Sequence, residues 1–494
     1  MKWALLSVWD KTGIVKLAQE LIQQKYNILS SGGTGKELSA AGIKFTEVSS
    51  YTGFPEMMDG RVKTLHPKVH GGLLGRRQID DQVMAKHGIN RIDVLVVNLY
   101  PFEMMAGRNM NLESLIEFID VGGPAMIRAA AKNYKNVTVV IDPADYPELI
   151  TAIQGTDIPL SQRLAFAKKA FARTAAYDGA ISNYLYGLDA PFPATFTVQF
   201  SHGRMLRYGE NPHQQAAVYG NTGIAGSEPI QGKQMSYNNY LDLNAGVALL
   251  REFEDTAAVI IKHNNPCGVA LGIDVSGAYT AARDADPVSA YGSVVCLNRE
   301  INKDTAEKIS TTFVEVLAAP SFSTEARSIF ARRENMRVMI LPEKDGFDEI
   351  RSVDGGVLVQ KTPPYQEHWK VITDRDPTPD ELKALQLAWK VCRHAKSNTI
   401  IFADQTRTLG IGAGQMSRVD AAKIAIEKSL SSLKGSVVAS DAFLPFADTL
   451  EAAADAGATA LIQPGGSIRD KEVIDAANRH HMAMIFTGVR YFRH

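Results

Sequence analysis

Residues 26–36 read Tyr-Asn-Ile-Leu-Ser-Ser-Gly-Gly-Thr-Gly-Lys, a short apolar run followed at once by a glycine-rich turn. Apolar runs alternate in this way with amphipathic segments through the first third of the chain. The pattern predicts strands at 4–8, 26–29, 94–97 and 137–141, and helices at 13–24 and from 36 onward. Strands that alternate with helices indicate a parallel α/β sheet covered on both faces, with ligands bound beyond the carboxyl ends of its strands.

A long helical stripe from Phe166 to Tyr184 follows and is predicted to end near Gly187. Two prolines within residues 187–193 mark the predicted boundary between domains at 1–190 and 195–494. The second domain is predicted to duplicate a strand–loop–helix–strand unit. Its halves lie at 257–297, with a polar Gly/Pro loop, and at 399–439, with a glycine-rich loop. A surface excursion is predicted around Pro363 and Pro364.

The composition of the 494 residues limits the possible partners. Lys and Arg number 53 against 54 Asp and Glu, a net charge of −1, which argues against a broad nucleic-acid or acidic-membrane surface. Three cysteines cannot form a disulfide framework and favour a reducing cytoplasm. No apolar stretch reaches 18 residues, and the short N-terminal apolar run is typical of a strand. A soluble protein with small-molecule partners is expected.

Two loops of the first domain are candidates for phosphate binding. The glycine-rich turn at 30–36 would let main-chain N–H groups approach a phosphate at a helix N-terminus. It is neither a Walker A loop, which needs Gly at Ser30 and Ser or Thr at Glu37, nor a dinucleotide fingerprint. The basic stretch at 60–68 would suit a sugar phosphate beside it. The alternatives are a helix-capping turn and a solvated basic loop.

Other motifs bear on the chemistry. Asp120 precedes a Gly-Gly-Pro helix start that would place Lys132 on the same face as Arg128, an arrangement that is by itself more often structural. Lys262-His263 ends an apolar strand, and its imidazole suits acid/base work. A zinc deaminase would need Glu at Asn265 and Cys at Ala270, and both are absent. The His66/His70 pair lacks a third ligand nearby.

Gly410–Gly414 also fails the dinucleotide pattern, because Gln415 stands where the third Gly belongs.

Taken in order, several segments resemble the bifunctional AICAR formyltransferase/IMP cyclohydrolase family of purine biosynthesis over essentially the whole chain. The segments that carry the resemblance are Ser7–Gly13, Ser31–Thr34, Gly60–Pro67, Asn98–Phe102, Asp120–Lys132, Leu206–Gln214, Lys262-His263, Gly410–Arg418, Ser440–Phe443 and Arg490–His494.

The resemblance implies an α/β protein with an N-terminal methylglyoxal-synthase-like parallel α/β domain. Two cytidine-deaminase-like α/β subdomains without zinc would form the rest. It implies a formyltransferase that moves formyl from 10-formyltetrahydrofolate to AICAR, and a cyclohydrolase that closes the product, FAICAR, to IMP. It further implies a cytoplasmic homodimer that needs no metal for its chemistry and has neither nucleic-acid nor membrane partners.

The resemblance also assigns residues to each reaction. The cyclohydrolase would grip phosphate with Lys11, Ser31, Gly32, Gly33, Thr34, Arg61 and Thr64. Its catalytic groups would be Lys63, Tyr100, Asp120 and Lys132, with Asn98 beside them, Lys132 as the main proton carrier and Asp120 orienting the amide.

The formyltransferase would use Lys262, His263 and Asn398. Its AICAR pocket would be lined by Arg207, Tyr208, Gly292, Glu315, Arg418, Phe443 and Arg490, and the folate would meet Asp448 and Ser467.

The chain departs from the family pattern at two positions. Trp9 stands where a small hydroxyl residue is more common, which affects contacts on the phosphate side, and Tyr291 replaces a common Phe. The alternative function is a purine-ribotide sensor that keeps the pockets and has lost turnover. The presence of Lys63, Tyr100, Lys132, Lys262 and His263 favours an enzyme.

Overall fold

The computed structural model describes residues 2–108, 110–155, 157–346, 349–361 and 367–494. The described chain divides into two units, of which the first ends at Gln199 and the second begins at Phe200. The predicted boundary lay slightly earlier, between 190 and 195, and the predicted excursion at Pro363 and Pro364 lies outside the described residues. Among the described helices, none combines the length and apolarity that a bilayer crossing requires.

The first unit is built on a sheet in the order β3-β2-β1-β4-β5, in which all neighbouring strands are parallel. Its strands are β1 (Lys2–Ser7), β2 (Tyr26–Ser30), β3 (Thr46–Glu47), β4 (Val94–Val97) and β5 (Thr138–Val140). Its helices are α1 (Ile14–Gln23), α2 (Gly32–Ala40), α3 (Val48–Thr52), α4 (Pro67–Leu74), α5 (Asp81–Lys86), α6 (Phe102–Ala106), α7 (Leu112–Ile116), α8 (Gly122–Lys132), α9 (Tyr146–Gln154) and α10 (Leu160–Gly187).

Helices cover both faces of this sheet, as predicted. Successive residues of β1 point to opposite faces, so Leu5 packs in the core beneath α8 and α10 whereas Leu6 packs in the core beneath α1 and α9. Helix α2 begins at Gly32 rather than at Lys36, so the prediction of its start was wrong. The glycines form the first turn of the helix and bring its N-terminus directly to the end of β2.

The second unit contains two larger sheets and two small ribbons. Its strands are β6 (Arg204–Met205), β7 (Ala217–Val218), β8 (Ala257–Lys262), β9 (Asn265–Leu271), β10 (Ser293–Leu297), β11 (Val314–Ala319), β12 (Arg337–Ile340), β13 (Glu349–Val353), β14 (Gly356–Gln360), β15 (Lys370–Val371), β16 (Ile400–Ala403), β17 (Thr408–Gly412), β18 (Val437–Ser440), β19 (Ala460–Gln463) and β20 (Ala483–Phe486). Its helices are α11 (Gly223–Gly226), α12 (Tyr237–Leu250), α13 (Val275–Ala285), α14 (Lys303–Ile309), α15 (Thr324–Phe330), α16 (Pro379–Cys392), α17 (Arg418–Lys428), α18 (Asp448–Asp455) and α19 (Asp470–Arg479).

The topology confirms the predicted duplication. One sheet runs β9-β8-β10-β11-β12 and the other runs β17-β16-β18-β19-β20-β15. In both, the first two pairings are antiparallel and the next two are parallel. One apolar core joins the halves, because it contains residues of both sheets, such as Val259 and Ile401, together with Leu249 of α12 and Trp389 of α16.

Two segments predicted as loops are strands. The Gly/Pro-rich segment after Lys262 forms β9, and the glycine-rich segment near Gly410 forms β17. A Cβ atom at Gly268 would lie 1.9 Å from the carbonyl oxygen of Ala282 in α13, and one at Gly412 would lie 1.8 Å from that of Ala421 in α17. The glycines therefore permit close packing of a helix on an edge strand rather than a flexible loop.

This packing predicts a large effect of a single methyl group. Gly412→Ala should lower the free energy of unfolding by about 3 kcal/mol, because the added carbon meets a main-chain oxygen that cannot turn away. Gly356→Ala in β14 is the matched control, since no described atom lies within 4 Å of the added carbon. Denaturant unfolding of the full chain measures both, and equal stabilities of the two variants would contradict the prediction.

Candidate functional site

A cavity of about 670 Å³ opens at the carboxyl ends of β1, β2 and β4. This is the edge at which a parallel α/β sheet is expected to bind ligands. Most of the residues assigned to the first domain line it, namely Lys11, Ser31, Gly33, Thr34, Arg61, Lys63, Thr64, Asn98, Tyr100 and Asp120. Gly32 is next to it, because a Cβ on Gly32 would lie 3.2 Å from Lys63 Nζ.

One end of the cavity is suited to an anion. Ser31 caps α2 without a side-chain hydrogen bond, and its buried Oγ has no hydrogen-bond partner among the described residues. The first N–H groups of a helix lack intrahelical partners and attract negative charge. Lys11 Nζ lies 3.3 Å from Thr34 Oγ1 at the same helix end. Burial lowers the pKa of Lys11, and the charges of Glu37 and Asp10 oppose that shift.

A partly buried carboxylate, Asp120, also faces the cavity, and the Lys63 ammonium lies near both this carboxylate and the N-terminus of α2. Asp120 Oδ1 accepts the main-chain N–H of Gly123 at 2.7 Å. Burial raises the pKa of Asp120, against the opposing effects of that hydrogen bond and of the charge on Lys63. Lys63 Nζ lies 3.7 Å from Glu56 Oε1. These groups can hold and exchange protons beside a bound ring.

Trp9 and Tyr100 form an aromatic wall of the cavity. Their ring centroids are 5.1 Å apart and nearly perpendicular, a favourable edge-to-face arrangement. The main-chain N–H groups of Trp9 and Asp10 both donate to Asn98 Oδ1, and Asn98 Nδ2 donates to the carbonyl of Asp10. Asn98 therefore shapes the loop that carries Trp9, and Trp9 remains 45% exposed.

Lys132 is not brought to this cavity. It is the last residue of α8, whose first residue, Gly122, lines the cavity. The helix has 11 residues, which at about 1.5 Å per residue is roughly 15 Å. Lys132 lines another cavity of about 640 Å³ with Arg128, Lys168 and His70. Lys132 and Arg128 thus share a face, as predicted, but Asp120 and Lys132 do not meet within one chain.

In the second unit, Lys262 and His263 lie at the turn between β8 and β9. They line a cavity of about 680 Å³ together with Gly410 and Gln415 of the other half. Lys262 Nζ donates to the carbonyl oxygens of Gly292, at 2.7 Å, and Tyr291, at 3.1 Å. The assigned residue Gly292 therefore contacts the assigned lysine through its main chain.

Cys267 also lines this cavity, but burial raises its pKa to about 12. Its thiol therefore stays protonated and is a poor nucleophile.

Three other assigned residues, Arg207, Tyr208 and Glu315, form a second group. The Arg207 guanidinium lies 5.2 Å from the centroid of the Tyr208 ring. Glu315 accepts a hydrogen bond from Asn239 Nδ2 at 3.0 Å and lies 3.9 Å from the buried Arg337. Asn239 and Arg337 are not among the residues predicted from the sequence. A cation at the start of a buried strand is the signal that could have identified Arg337.

A third group contains Arg418, Arg490 and Asn398. Arg418 Nη2 lies 3.6 Å from the fully buried Asp441, yet its Nε and Nη2 make no hydrogen bond to the described residues. Arg418 and Arg490 both approach the ring of Phe492. Unsatisfied guanidinium N–H groups suit an anionic or carbonyl-bearing ligand.

Asn398 Nδ2 donates to the carbonyl of Gln415 at 2.8 Å. Gln415 lines the same cavity as His263, so Asn398 lies next to a residue of that cavity.

The two residues assigned to folate follow neighbouring parallel strands. Asp448 follows β18, as does Phe443 of the assigned AICAR pocket, and Ser467 follows β19. Asp448 Oδ1 accepts the N–H of Thr449 at 2.6 Å, and Ser467 donates its N–H to Asp470 at 3.1 Å. Within the described ranges, no group of three or more His, Cys, Asp or Glu side chains is placed to hold a metal ion.

The chain is similar to known proteins over its whole length. The model of the AICARFT/IMPCHase bienzyme family matches residues 130–428, and that of the MGS-like domain matches residues 13–125. The bifunctional purine biosynthesis protein PurH of Magnetococcus marinus is 48% identical over 529 aligned positions, covering 100% of this chain and 99% of that protein. The crystal structure of ForH matches 37% of this chain and 98% of its own at 34% identity, with a TM-score of 0.34.

The anion end of the first cavity predicts a binding experiment. Lys11→Ala should weaken binding of ribose 5-phosphate roughly tenfold to a hundredfold, because a hydrogen bond to a charged group contributes about 1.5–3 kcal/mol. Fluorescence of Trp9, which lines the same cavity, provides the readout. Lys36→Ala is the matched control, since Lys36 lies on α2, whose N-terminus forms the anion end, but is exposed and outside the cavity. Equal affinities of the two variants would contradict this assignment.

Proposed function

The chain belongs to the AICARFT/IMPCHase bienzyme family, and from this premise we propose which residues carry each of its two reactions. The protein catalyses the final two steps of IMP biosynthesis. It transfers a formyl group from a formyl-folate cosubstrate to AICAR, and it closes the product, FAICAR, to IMP with loss of water. We propose that the formyl donor is 10-formyltetrahydrofolate and that the enzyme works as a homodimer in the cytoplasm.

The first unit is proposed to be the cyclohydrolase. The phosphate of FAICAR would lie at the N-terminus of α2, held by Lys11, the main chain of Gly32 and Gly33, and the hydroxyls of Ser31 and Thr34. Support comes from the unpaired Ser31 Oγ and from the lysine at the same helix end. The ring would then extend along the aromatic wall toward Asp120 and Lys63.

Ring closure joins the carboxamide nitrogen to the formyl carbon within one molecule. Because both groups are already on the same ring, positioning supplies much of the rate. Asp120 would orient the amide and take up its proton, a role that suits a carboxyl whose pKa burial raises. Lys63 and Tyr100 would donate hydrogen bonds to the oxyanion and to the departing water.

The second unit is proposed to be the formyltransferase. The AICAR amine is a weak nucleophile, so His263 would remove its proton as nitrogen attacks the formyl carbon. The bond from that carbon to the folate nitrogen then breaks, and a proton from the Lys262–His263 pair would reach the folate nitrogen. Asn398 would hold the carboxamide, and Arg418 supports this pocket because its Nε and Nη2 make no hydrogen bond to the described residues. Asp448 and Ser467 would meet the folate.

The observation that carries this proposal is that two cavities in separate units each contain their own titratable groups and share no residue. A sensor without turnover would not need the Asp120–Lys63 and Lys262–His263 pairs.

The two reactions should therefore fail separately. Asp120→Asn should stop cyclisation and accumulate FAICAR while formyl transfer persists, and His263→Ala should stop transfer while supplied FAICAR still cyclises. Chromatographic analysis of product from AICAR and 10-formyltetrahydrofolate distinguishes these outcomes. If each variant lost both activities while remaining folded, the division into two sites would be wrong.

Lys132 needs a further proposal, because the resemblance assigns it to the cyclohydrolase while α8 carries it away from the cavity of its own chain. We propose that Lys132 serves the cavity of the second chain in the homodimer. The proposal rests on the exposed approach to Lys132, which lines an open cavity with Arg128 and Lys168.

Mixing two inactive variants tests this arrangement. Lys132→Ala and Asp120→Asn homodimers should each accumulate FAICAR. After dissociation and reassembly together, a mixed dimer would contain one cavity with Asp120 from one chain and Lys132 from the other, so cyclisation should return to about a quarter of the unaltered rate for random pairing. Absence of any recovery, with mixed dimers shown to form, would place Lys132 in the cavity of its own chain or outside the reaction.

A further inference from the structure

The turn that carries His263 has an unusual main chain. Strands β8 and β9 form a hairpin in which Lys262 pairs with Asn265, so His263 and Asn264 are the two turn residues. Their φ angles are 51° and 62°, both in the left-handed region. Two-residue turns with positive φ at both positions favour Asn-Gly or Gly-Gly. Histidine and asparagine adopt positive φ more often than most residues that carry a Cβ, but less readily than glycine. A contact from outside the turn can therefore stabilise it.

Asp242 on α12 makes the contacts that can do so. Its Oδ1 accepts the main-chain N–H of Asn264 at 2.7 Å. Burial raises the pKa of Asp242, while hydrogen bonds from the main chain of Asn264 and His263 and the charges of His263 and Lys262 oppose the rise. One carboxylate therefore accepts a main-chain N–H of the turn and lies beside both Lys262 and His263.

The helix that carries Asp242 is itself firmly held. A capping box between Ser236 and Asn239 closes its N-terminus, and Leu243 and Val247 are buried in the core with Val259 and Ile261 of β8. Asp242 is thus attached to the same rigid core as the strand that leads into the turn. It does not itself line the cavity beside His263 among the described residues.

We propose that Asp242 is the positioning residue of the formyltransferase: its carboxylate holds the left-handed His263–Asn264 turn that presents the imidazole to the cavity. The inference rests on the proposed role of His263 as the base. Asp242 has no contact with substrate in this proposal and acts through the turn alone.

Removal of the carboxylate should lower the turnover number more than the affinity. Asp242→Ala is expected to reduce kcat for formyl transfer about a hundredfold, with KM for AICAR changed less than about threefold, because binding groups such as Arg207 and Arg418 lie elsewhere. Asp242→Asn, which keeps an acceptor oxygen, should lose less than about tenfold. Cyclisation of supplied FAICAR by the same preparations should be unchanged. Asp255→Ala, which removes an exposed carboxylate of the same unit, is the matched control.

A second-site change distinguishes positioning from general stability. Asn264→Gly relaxes the turn, since glycine adopts positive φ at no steric cost. The double variant Asp242→Ala/Asn264→Gly should have a kcat at least tenfold higher than that of Asp242→Ala. The double variant also supplies the test if Asp242→Ala alone fails to fold. Unchanged kcat in Asp242→Ala, or a folded double variant with no recovery, would overturn the inference. His263→Ala run in parallel separates the two claims: if it retains formyl transfer, the proposed role of His263 itself fails.

Discussion

Helix α13 lies so close to strand β9 that only a hydrogen atom fits between Gly268 and the carbonyl oxygen of Ala282. The same contact recurs between α17 and Gly412 in the second half. In each half it buries an edge strand under a helix and fixes the antiparallel hairpin at the edge of the sheet. Because the turn of the first hairpin carries Lys262 and His263, the position of the proposed catalytic pair depends on a helix–strand contact next to residues that line the cavity, such as Cys267.

Tertiary packing of this kind separates the strands that were not predicted from the sequence from those that were. The apolar runs at 94–97 and 137–141 predicted β4 and β5 to within a residue, because burial on both faces of a parallel sheet leaves an unmistakable pattern. Strands β9 and β17 were not predicted as strands, because their glycines and a proline are typical of loops. Their strand structure is imposed by the helices that cover them, and a local pattern does not register such tertiary packing.

The site shows the same division between local and tertiary information. The Ser31–Thr34 and Lys262-His263 motifs lie at strand ends, as the sequence predicts, because chain position fixes their place on the sheet. The spacing also places Lys132 on the helix that begins after Asp120, and the length of α8 keeps the two residues apart within one chain. Arg337 and Asp441 are buried charges. The position of Arg337 at the start of a buried strand is a local signal, but no local signal identifies the distant partner of either residue.

The two partly buried carboxylates near the proposed active sites experience the same forces but differ in their access to a cavity. Burial raises the pKa of both Asp120 and Asp242. Each main-chain hydrogen bond and each neighbouring cation favours the ionised form. Asp120 accepts its main-chain hydrogen bond within the lining of a substrate-sized cavity, so its proton can exchange with a bound ring. Asp242 accepts its main-chain hydrogen bond from Asn264 and lies outside the lining of the cavity beside it, so it can fix the turn without meeting substrate. Access to the cavity thus separates a carboxyl suited to proton transfer from one suited to holding a turn.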